Sequence, residues 1–125
     1  MKFTGKLLNL DGNPDVAGDC FPSDCKINIK NPVVVTHEFV LSPKTFLGFG
    51  KIKRTKKSLI YEIEINTKQL PKDFYKLLTP AVGGSIVNRN GKEIRECIIH
   101  QIGLSVAKNS DPRIKPLKRR STRTR

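Results

Sequence analysis

Apolar and polar positions alternate with a period of two along much of the chain, and that period predicts strands. Residues 2–9 (KFTGKLLN) are the first candidate. Residues 10–25, which include DGNPDVAGDCFPSDC, are dense in Gly, Pro, Asp and Asn, so a long structured loop is predicted there. Val33–Phe39 (VVVTHEF) is rich in β-branched residues and reads as a buried strand. Phe46–Arg54 and Ser58–Asn66 follow. In the second of these, Leu59, Tyr61, Ile63 and Ile65 fall on one side, with Glu62 and Glu64 on the other, as in a half-buried antiparallel strand.

The period changes over Thr67–Leu78, where Leu70, Phe74, Leu77 and Leu78 recur at helical spacing and Pro71 suits a first turn. One short helix is predicted, ended near Pro80. Val82–Asn88 and Lys92–Val106 then read as two strands joined by Asn90-Gly91, a two-residue hairpin signal. The predicted fold is mainly β with one or two short helices: a small antiparallel β-barrel, closed or half-closed. No internal repeat is visible.

A length of 125 residues fits one compact domain. The hydrophobic fraction, 37%, is low for a globular chain but above the level of outright disorder. No stretch approaches the ~18 apolar residues of a membrane span, so no membrane partner is expected. The start, MKFTGKLLNLDGN, turns polar too early for a secretory leader. Three cysteines argue against a disulfide framework and for a reducing compartment.

Charge divides the chain more sharply than hydropathy does. The net charge is +13, and residues 108–125 carry eight basic residues against one acidic, which leaves +6 for residues 1–107. Lys108, Arg113, Lys115, Lys118, Arg119, Arg120, Arg123 and Arg125 therefore read as a basic anchoring tail for a polyanion or an acidic protein surface, appended to a domain of residues 1–107. A second cluster, Lys51, Lys53, Arg54, Lys56 and Lys57, reads as a solvated hairpin end. Without interleaved aromatics it suits backbone neutralisation and not the reading of bases.

Candidate chemistry is sparse. His37 and His100 are the only histidines, and both lie in predicted strands. Ser85 follows Gly83 and Gly84, whose bare backbone either admits a substrate oxygen to N–H donors or marks a bulge or close strand crossing. A hairpin centred on Asn90-Gly91 places Ser85 opposite Glu96 and away from His100. Cys20, Cys25, Cys97 and His37 form no standard zinc spacing, and no cofactor is implied.

The order of motifs resembles the tailed-phage prohead maturation proteases, relatives of the herpesvirus assemblins. The resemblance rests on a loop ending in GDCFP, a strand ending in THEF, the FGKIKRTKKSLIYEIEI hairpin, GGSIV, and HQIGLSVAKNSDPRI, across about residues 10–115. It implies a small β-barrel with Ser85 as nucleophile, His37 as general base, and His100 (or Glu96) as the orienting third member. Gly83 and Gly84 would flank an oxyanion site. It also implies phage capsid, portal or scaffold proteins as partners, packaged DNA as a contact for the tail, and a place in the virion head after assembly in the host cytoplasm. Where the herpesvirus branch has two arginines, this chain has Lys108 and Asn109, and it is short for the family. The expectation is therefore a structural head protein on a protease-like barrel. An active serine endopeptidase is the alternative, and a general nucleic-acid-binding protein a weaker one.

Overall fold

Six strands emerge from the alternating segments: β1 (Lys2–Asn9), β2 (Lys26–His37), β3 (Phe46–Arg54), β4 (Ser58–Ile65), β5 (Thr79–Asn90) and β6 (Glu93–Ser105). They belong to a computed structural model that describes residues 1–38, 44–106, 109 and 111–117. The strands form one sheet in the order β1-β4-β3-β2-β6-β5, curled into a half-barrel. Its concave side holds the core, with Phe3, Leu7, Val33, Val35, Leu59, Ile99, Ile102 and Leu104 almost fully buried.

The expected barrel was antiparallel throughout, and the structure departs from this at one seam. β2 and β6 run parallel, from Lys26 opposite Glu96 to His37 opposite Leu104. Parallel neighbours need a long crossover. Here the connection is the whole of β3, β4, two short turns and β5. β5 forms the outer edge by pairing antiparallel with β6.

The predicted helix over Thr67–Leu78 is two separate 3-10 turns, Thr67–Gln69 and Phe74–Leu77. Pro71 accounts for the break, because the residue before a proline is driven out of the helical region; Leu70 is extended at φ −114°, ψ 148°. The Asn66 side chain caps the first turn at the Lys68 amide.

Two further segments differ from expectation. β2 begins at Lys26, well before the predicted Val33, and Ile27 and Ile29 of this first half pack on the core. The predicted last residue of that strand, Phe39, lies outside the described residues. Residues 111–117, expected in the tail, fold back against the sheet, with Ile114 and Leu117 buried. The Leu117 amide donates to the Leu78 carbonyl at 2.8 Å, and Asn109 Nδ2 to the Pro80 carbonyl at 2.8 Å. This strap lies across the open side of the half-barrel, where the edge strands β1 and β5 approach each other. The folded unit thus extends past the expected boundary at 107/108.

Candidate functional site

Ser85 lies on β5, solvent-exposed and opposite Ile98. The expected partner, Glu96, pairs instead with Asn88. The cause is the turn: Asn90 still pairs with Glu93, so its central residues are Gly91 and Lys92, with Gly91 at φ 61°. Sliding the turn by one residue moves the partner of Ser85 by two, and a bulge at Val87 shifts the partner of Glu96 by one more. Ser85 sits in an open hollow of about 200 Å³ with Phe21, Val82, Ile86, Ile98 and Ile99. The ionisable group lining it is Cys97, whose thiol burial pushes up to about 12.

His37 ends β2, opposite Leu104 on β6. Ile98 and Leu104 are six positions apart along β6, so Ser85 and His37 are separated by about 20 Å at ~3.3 Å per residue. The expected nucleophile and base are therefore not brought together. His37 instead stacks edge-on against Phe74, with centroids 6.4 Å apart, and its Nε2 lies 3.5 Å from Glu38 Oε1. That Nε2 is buried without a hydrogen-bond partner among the described residues. Ser105 Oγ donates to the other oxygen of Glu38 at 3.0 Å. In this order the carboxylate stands between hydroxyl and imidazole, whereas proton abstraction from serine needs the imidazole in the middle.

His100 is exposed and is the extra residue of a bulge, since Gly83 pairs with Gln101 and Gly84 with Ile99. It is thereby set apart from Ile102, which is fully buried in the core. Gly84 has a packing explanation: a Cβ there would lie 1.8 Å from the Ile98 carbonyl oxygen. Of the two meanings open for Gly83-Gly84, the close crossing accounts for Gly84, and the bulge on β6 lies opposite the step between the two glycines.

The four residues weighed for zinc are likewise dispersed. Cys25 immediately precedes β2 and His37 ends it, with eleven residues of strand between. Cys25 and Cys97 are buried neighbours whose thiols burial pushes upward.

Sequence reasoning missed the polar lock of the strap. Asp111, 7% exposed, accepts from Asn9 Nδ2 at 2.9 Å and from Arg113 Nε at 3.0 Å. Arg113 also forms an ion pair with Asp11. Its guanidinium holds the Asp11 carboxyl down at about 2. At Asp111 burial pushes the carboxyl up, but bonds from Arg113 and Asn9 outweigh it and the net direction is down. Arg113 is thus engaged inside the fold. Lys115 is exposed, and Lys108, Lys118, Arg119, Arg120, Arg123 and Arg125 lie outside the described residues.

The chain matches no protein-family profile, no curated protein and no solved structure. Function is therefore inferred from this geometry and from the motif order in the sequence.

Proposed function

We propose that the chain is a non-catalytic component of a phage head, held in the particle through its basic C-terminal segment. The observation that carries the non-catalytic half is the separation of Ser85 from His37 along β6. A serine hydroxyl becomes a nucleophile at neutral pH only when a base within hydrogen-bond reach takes its proton, and the hollow around Ser85 is lined by apolar side chains and a thiol. The setting comes from the resemblance in motif order, and the five basic residues of 118–125 supply the means of attachment.

Two measurements test this reading. Purified protein incubated with capsid and scaffold precursors, with Ser85→Ala in parallel, is expected to give no Ser85-dependent fragment. Particles assembled with the full chain are expected to retain it on sedimentation, and a chain lacking residues 118–125 to be retained less. Ser85-dependent cleavage would restore the protease reading; a chain absent from particles would remove the structural one.

A further inference from the structure

The convex side of the sheet gathers residues that are scattered in sequence. On β3, Leu47 and Ile52 are buried in the core, while Phe49, Lys51 and Lys53 point the other way. Register sets their neighbours: Phe49 lies beside Glu64 and Val34, Lys51 beside Glu62, and Lys53 beside Ile60. The same rows continue onto β1, where Lys2 faces Glu64 and Lys6 faces Ile60. The Asn31 amide clasps the Ile52 backbone at 2.9 and 3.0 Å and holds the middle of β2 beside β3. Four outward lysines, Lys2, Lys6, Lys51 and Lys53, thus stand against two glutamates, one of which, Glu62, is already met by Lys53 at 3.5 Å.

Among these cations sits an exposed aromatic ring. Phe49 is 53% exposed, and Phe46 packs against it edge-on at 5.1 Å. Beside it opens a hollow of about 300 Å³, lined by Lys2, Pro32 and Lys51 with Glu62 and Glu64. A lone exposed apolar residue is ordinary. A ring in the interior of a sheet face, with ammonium groups two and four positions further along its own strand, is a patterned surface. Outward positions on one strand repeat every ~7 Å, a step comparable to that between successive phosphates of an extended single strand.

We infer that this convex face binds single-stranded nucleic acid, with a base stacked on Phe49 and adjacent phosphates neutralised by Lys51 and Lys53. The β3–β4 turn adds two further exposed cations, Lys56 and Lys57, beyond the end of β3. A ring plus a line of cations is the combination that holds unpaired strands without sequence preference. A duplex keeps its base faces stacked internally and offers none to Phe49. An acidic peptide would engage the lysines but has no flat π-faces spaced along its backbone.

Fluorescence anisotropy of a short labelled oligothymidylate with the full chain tests the inference. Phe49→Ala is expected to weaken binding on the order of tenfold, Phe49→Leu to behave like Ala, and Phe49→Trp to retain affinity. Lys51→Gln and Lys53→Gln are each expected to make the logarithmic salt dependence shallower by about 0.7. Circular dichroism and urea midpoints identify any variant that loses its fold, and Phe49→Trp together with the lysine variants keeps the test decisive in that event. Unchanged affinity in both Phe49→Ala and Lys51→Gln would place all binding on the C-terminal segment and overturn the inference. Equal competition by duplex DNA or by polyglutamate would overturn it as well.

Discussion

Gly84 marks the point where β5 comes closest to β6, with no room for a Cβ beside the Ile98 carbonyl; at Gly91 a Cβ would meet open space, but the backbone is left-handed at φ 61°. The two glycines are thus required for different reasons, and substitution separates them. Gly84→Ala is expected to lower stability by about 1–3 kcal/mol through overpacking, and Gly84→Asn to be at least as damaging. Gly91→Ala is expected to cost about 1–2 kcal/mol, with Gly91→Asn recovering most of it because asparagine tolerates that conformation. Urea midpoints of the four variants check both statements. At this scale the sequence was only half legible. GGS shows that side chains are missing ahead of a serine, but an oxyanion site and a close crossing both require that absence. Only the register, offset by the turn at Gly91-Lys92, separates them.

Among elements, β1 and β3 occupy the stretches that alternation predicted, and β4 ends one residue short of Asn66. Each carries its own signal, since one face is buried in the core and the other is not. The strap was not legible, because its two buried side chains, Ile114 and Leu117, stand among prolines and cations that read as a solvated tail. What holds it is a long-range lock between Asp11, Asn9, Asp111 and Arg113, which no local pattern announces. This lock has a pH signature. Asp11 is held at about 2 against an ordinary 3.8, so the folded state resists protonation more than the unfolded chain does. The resulting stability is fully present above pH 3.8 and fades as pH falls toward about 2. Arg113→Gln is expected to lower the urea midpoint at neutral pH by the equivalent of about 1 kcal/mol or less, because the pair is partly exposed. Its deficit relative to wild type should shrink across that acid range. A deficit that stayed constant with pH would assign the effect to packing instead.

For the molecule as a whole, the parallel seam between β2 and β6 has the largest consequence. It sets β6 between two partners along much of its length, while the distal half of β5 is an edge with Ile86 and Val87 exposed. Hydrogen exchange should follow this layout. The amides of Ile102 and Leu104, in the buried centre, are expected to be among the slowest. That of Val87, the unpaired extra residue between Ile86 and Asn88, is expected to be among the fastest in the sheet. Uniform protection across β5 would contradict the bulged pairing of β5 with β6. Sequence could not supply the seam, because β2 and β6 lie far apart in the chain and nothing in either pattern names the other as neighbour.

The strap also fixes where the remaining charge is launched. Leu117 is pinned to Leu78, and Arg125 lies eight positions further along the chain, a reach of at most about 28 Å at ~3.5 Å per residue. The arginines at 119, 120, 123 and 125 are therefore on a leash of set origin and bounded length. Under the proposed anchoring role, the surface that these arginines meet lies within that radius of Leu117, which makes the attachment short-ranged.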